Sequence, residues 1–108
     1  MRKLLLLLAV LAIAVPAVTV SAIAASKTRT TSLKDDYFTK GKVTVKKGTT
    51  VVWNWKTDDR HTVTEINGKW GSKETKKGHF THKFKKKGTF TVYCLVHPTS
   101  MRQKVVVK

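Results

Sequence analysis

From Tyr37 onward, apolar residues recur at every second position in short runs: Val43 and Val45; Val51, Trp53 and Trp55; Phe80, His82 and Phe84; Phe90, Val92 and Cys94; Val105 and Val107. A period of two sends alternate side chains to opposite faces of an extended backbone, so each run predicts a strand with one face toward a core. Between the runs stand Lys47-Gly48, Asn67-Gly68, Lys77-Gly78 and Lys87-Gly88, turn sites where glycine takes backbone angles that other residues resist. No stretch beyond the N-terminal segment keeps a helical period. The pattern predicts an all-β domain, a two-sheet antiparallel sandwich, and leaves the strand order open.

The chain opens differently. Met1-Arg2-Lys3 leads into an apolar run from Leu4 to Val20 and then Ala22-Ile23-Ala24. A basic start, an apolar run and a small-residue site predict a secretory signal peptide over residues 1–25, cut near Ala24 or Ala25. The rival reading is a retained anchor, because the apolar stretch approaches the roughly 20 residues that cross a bilayer. Residues 26–35 are polar, basic and threonine-rich with no apolar period, which predicts a flexible lead. That leaves 36–108 as one domain, enough for one core and too short for two.

Charge narrows the choice of partners. The chain has 22 Lys and Arg against 6 Asp and Glu, a net charge of +16, and stays strongly basic if Arg2 and Lys3 leave with a signal peptide. Lysines gather at Lys46-Lys47, Lys76-Lys77 and from Lys83 to Lys87. Such a field favours a partner protein with an acidic docking surface, or peripheral association with an anionic membrane or cell-wall polymer. Specific nucleic-acid recognition is not expected, because Trp53, Trp55, Phe84 and Phe90 alternate as core residues do. Trp70, beside Gly71, is the tryptophan most free to meet a partner.

The candidate chemistry sits near the C-terminus. Within eight positions, Cys94, His97 and Met101 gather the only cysteine, a histidine and a methionine, and His61 stands alone upstream. A strand that ends at Cys94 delivers the sulfur to a sheet rim, and a turn stiffened by Pro98 can bring His97 and Met101 to the same centre. Cys94 shares its strand face with Phe90 and Val92, whereas Tyr93 points the other way. Thiolate, imidazole and thioether are soft or borderline donors, and this set matches the His₂Cys and weak axial methionine that hold copper in blue sites. Zinc would leave the methionine unused. A Cys94/His97 nucleophilic pair lacks a third orienting residue and an oxyanion loop, so no enzyme is expected. His79 and His82 have no soft donor beside them and read as a solvent residue and a sandwich side chain.

Four pieces together resemble the small cupredoxins of the plastocyanin, amicyanin and pseudoazurin group: Val45-Lys-Lys-Gly-Thr-Thr-Val-Val-Trp53, Asp59-Arg-His61-Thr-Val63, Lys87-Gly-Thr-Phe-Thr-Val-Tyr-Cys94 and Cys94-Leu-Val-His97-Pro-Thr-Ser-Met101. The resemblance implies a Greek-key sandwich and one type 1 copper ion held by His61, Cys94, His97 and Met101. It also implies single-electron transfer between redox partner proteins by a monomer that is exported to the periplasm, the exterior or the cell surface. A backbone N–H near Thr62 is expected to donate to the Cys94 sulfur. Tyr93 resembles a lateral entry for electrons, and strand packing is its plainer role. Two departures stand out. Three residues separate His97 from Met101, with Gln103 where relatives commonly have glycine, and Thr62 replaces an asparagine that ties the ligand loops, which predicts a looser tie. A copper carrier or buffer, and a metal-free polyanion binder, are the competing functions.

Overall fold

Val51, Trp53 and Trp55 are buried while Thr50, Val52 and Asn54 between them are half-buried, the alternation of a central strand. The computed structural model describes residues 27–108; the expected signal peptide over 1–25 lies outside them. The described chain forms β1 (Thr28–Lys34), β2 (Tyr37–Phe38), β3 (Lys42–Val45), β4 (Thr50–Trp55), β5 (Thr64–Glu65), β6 (His79–Lys83), β7 (Gly88–Tyr93) and β8 (Arg102–Val107). Among the described residues there is no helix, and so none that could cross a membrane.

One sheet has the order β2-β1-β4-β6 and the other β3-β8-β7-β5. Their inner faces share a core, with Leu33, Val51, Trp53 and Trp55 from the first sheet and Val43, Val45, Val92, Val105 and Val107 from the second. The expected antiparallel sheets are in fact mixed: β1 runs parallel to β4, and β3 runs parallel to β8. The chain crosses to the opposite sheet at β3 before β4 returns beside β1, and such a crossover joins strands pointing the same way. Period-two alternation reports faces, not directions.

Within the segment expected as a flexible lead, Thr28–Lys34 form a strand. Thr28 to Leu33 pair with Thr50 to Trp55 along six registered positions, and Thr31 and Leu33 turn inward, both buried. Threonine suits a half-buried pleated surface, so β1 holds its strand with a single large apolar residue.

Two side chains tie the sheets. Buried Gln103, on β8, accepts the indole N–H of Trp53 at 2.8 Å, and its amide donates to the Lys40 carbonyl at 2.8 Å and to Thr31 Oγ1 at 3.3 Å. A buried amide satisfied on both ends adds specificity without an unmet polar group. Trp70 is not free for a partner: it is half-buried, stacks on His82 with centroids 3.9 Å apart, and leans on Trp53 and Phe84.

Candidate metal centre

The pleat of β7 decides where the thiol goes. Val92 and Cys94 fall on the inner face and both are fully buried, whereas Tyr93 is half-buried on the other side with the Arg102 guanidinium 5.7 Å from its ring centroid. The segment from Cys94 to Met101 folds as consecutive turns. The His97 N–H donates to the Cys94 carbonyl at 3.2 Å, the Met101 N–H donates to the His97 carbonyl at 3.1 Å, and the Cys94 N–H closes the loop on the Met101 carbonyl at 3.0 Å. Met101 is fully buried at the start of β8.

His61 comes from the loop between β4 and β5. Its backbone exchanges hydrogen bonds with Thr75 at 2.9 and 3.1 Å, and the Trp55 indole N–H donates to its carbonyl at 3.1 Å. These contacts fix a fully buried imidazole whose Nδ1 lies 3.8 Å from Cys94 Sγ. One ligand atom each from His61, Cys94 and His97 fall within 4.8 Å of one another.

The residue after His61 joins the two candidate ligand loops. The Thr62 N–H donates to Cys94 Sγ at 3.3 Å, and Thr62 Oγ1 accepts the Leu95 N–H at 2.9 Å. The looser tie expected from threonine at this position is therefore not found. A hydroxyl does the joining.

Sequence reasoning missed Asp35 and Asp36, which form the turn between β1 and β2. Asp35 Oδ1 lies 3.0 Å from His61 Nε2, and its carboxylate also accepts the N–H groups of Asp58 and Asp59 at 3.0 and 3.1 Å. The His61 bond first, and then the two backbone bonds, hold the Asp35 carboxyl down at about 2. Asp36 Oδ1 lies 3.1 Å from His97 Nε2. Two adjacent acids in a basic chain were the only signal.

With Nε2 of each imidazole on a carboxylate, Nδ1 is the nitrogen left over. Among the described residues, His97 Nδ1 is buried and has no hydrogen-bond partner, a costly state for a polar atom unless something else takes its lone pair. An ion does so. Donors 3.8 Å apart can both reach one centre at roughly 2 Å, and a thiolate with two imidazoles selects a soft or borderline metal over magnesium or calcium. The residues fit copper.

No family model matches the sequence, and no curated protein does. Solved structures do. A purple cupredoxin from Nitrosopumilus maritimus is 21% identical, with 74% of this chain covering 99% of that one at a TM-score of 0.65. An oxidised amicyanin carrying a methionine-to-leucine substitution is 25% identical over 74% of this chain and 81% of that one, with a TM-score of 0.64. A copper-containing nitrite reductase from Thermus scotoductus is 19% identical over 74% of this chain but only 22% of its own length, with a TM-score of 0.63. Its likeness is one of fold alone. This chain has the fold of the cupredoxins, and the group made by His61, Cys94 and His97 fits a type 1 copper site.

Proposed function

We propose that this protein is an exported one-electron carrier that works between redox partner proteins, with His61, Cys94, His97 and Met101 as the ligands of one copper ion. The single observation that carries the reading is the buried Nδ1 of His97, unpartnered among the described residues, in a cluster whose other members are a buried thiol and a buried imidazole. Copper supplies the Cu(I)/Cu(II) couple when bound. The chain's part is to hold its donors still. Cys94 is fixed by the Thr62 N–H, His61 by Asp35 and Thr75, and the ligand loop by its own turns. A frame that does not rearrange when the charge at its centre changes lowers the barrier to electron exchange.

His97 is the ligand nearest the surface, its side chain 31% exposed, and Leu95 and Val96 beside it are exposed apolar residues. This face is where a partner would dock. The net charge of +16 favours an acidic docking surface on that partner, with an encounter rate that falls as salt rises. Export rests on the signal-like segment over 1–25.

A copper carrier built on the same ligands would behave differently toward competitors. The copper-loaded protein, cycled repeatedly with ascorbate and ferricyanide in the presence of a Cu(I) chelator, is expected to keep its metal throughout. Transfer of the copper to the chelator within a few cycles would replace the shuttle by the carrier.

A further inference from the structure

We propose that Asp35 and Asp36 form a carboxylate clamp, one acid on each histidine of the cluster, that presents both Nδ1 atoms to the metal and biases the centre toward its oxidised state. The inference rests on the copper reading above. Its geometry stands on its own: two consecutive residues of the β1–β2 turn reach His61 Nε2 at 3.0 Å and His97 Nε2 at 3.1 Å, although the histidines lie on different loops.

An ionised carboxylate can only accept a hydrogen bond, so in the neutral imidazole each Nε2 carries the proton and each Nδ1 a free lone pair. Asp36 is the only described non-glycine residue with a positive φ, at 70°. Aspartate tolerates this left-handed conformation better than most residues, and it lets two successive acids serve two rings. Asp36 makes no other side-chain hydrogen bond or ion pair among the described residues, and its side chain is 68% exposed, so no packing role explains its position. Negative charge on the far nitrogen raises the donor strength of the near one. The benefit is larger for the ion of higher charge.

Asp36 is the cleaner place to test, because Asp35 also holds the Asp58 and Asp59 N–H groups. Asp36→Asn keeps one acceptor oxygen and tolerates the same backbone angles, while it removes the charge and adds an amide donor. Asp36→Ala removes both acceptor and charge. The probe is copper itself, followed by voltammetry, with ¹⁵N NMR of the imidazoles in the metal-free protein near pH 8 as a readout that needs no metal.

In Asp36→Asn the affinity for Cu(II) should fall about tenfold relative to Cu(I), which raises the reduction potential by about 59 mV. Glu74→Gln, which neutralises a carboxylate on the same cleft as His97 without a bond to it, should shift the potential by less than half as much. NMR should show His97 protonated at Nε2 in the wild type and a mixture of tautomers in Asp36→Ala. An unchanged potential in Asp36→Asn, an equal shift in Glu74→Gln, or an unaltered tautomer in Asp36→Ala would overturn the clamp and leave the copper reading intact. A wild-type protein that binds no copper would overturn both.

Discussion

The backbone N–H of Thr62 donates to the sulfur of Cys94 across 3.3 Å, between two residues 32 positions apart in sequence. Its hydroxyl makes the second link, accepting the Leu95 N–H at 2.9 Å, so one residue holds both the thiol and the start of its loop. Thr62→Val retains the shape and the N–H but deletes the hydroxyl. Loss of its bonds to the Leu95 N–H and to the Thr64 hydroxyl should cost about 1 kcal/mol in denaturant unfolding and speed copper release to a chelator several-fold. Unchanged release would show that the Thr62 hydroxyl is not needed to hold the Cys94 loop.

The bond between Trp53 and Gln103 crosses the core at 2.8 Å. Gln103→Leu nearly conserves volume but leaves the indole N–H and the Lys40 carbonyl without their partner. Stranding buried polar groups should destabilise the fold by about 2 kcal/mol, read by urea unfolding followed through tryptophan fluorescence. A loss below about 0.5 kcal/mol would mean that water reaches these groups.

Met101 is fully buried and sits where a weak axial donor is proposed. Met101→Leu conserves volume, so stability should change by less than about 1.5 kcal/mol. The trigonal donors survive the substitution, so the copper protein should keep its colour while its potential rises. An unmoved potential would remove Met101 from the ligand set.

How much of this could be read from the sequence depends on distance along the chain. β4, β7 and β8 announce themselves because large apolar residues repeat at every second position, and the donors Cys94, His97 and Met101 are conspicuous because they are crowded together. β1 hides because its inward positions hold Thr31 and Leu33, one polar and one apolar. Parallel pairing leaves no trace in an alternating pattern. The roles of Asp35 and Asp36 arise only when a turn near the start of the domain meets His61 and His97, and the role of Gln103 only when Trp53 faces it across the core. Such contacts are products of topology.

Acidity should be felt away from the metal as well. Burial lowers the affinity of His82 for a proton from its ordinary value of 6.5, against the opposing pull of the Glu65 charge. The unfolded chain then takes up a proton that the folded chain resists. His82 therefore supports the fold above pH 6.5, and that support is lost as pH falls below 6.5. Metal-free His82→Phe keeps a ring against Trp70 and should lose less thermal stability than the wild type between about pH 7.5 and 5.5. Equal losses would place the acid sensitivity at other groups.

His61, Cys94 and His97 are proposed to grip one copper ion through a thiolate and two imidazoles, and every other role follows from that grip. Addition of one equivalent of Cu(II) to the purified protein, followed by visible absorption and electron paramagnetic resonance, tests it most directly. The expected result is an intense visible band with the narrow copper hyperfine splitting of a thiolate-bound site, both lost in Cys94→Ser. A colourless protein, or a weak band with the wide splitting of ordinary Cu(II) that persists in Cys94→Ser, would contradict it.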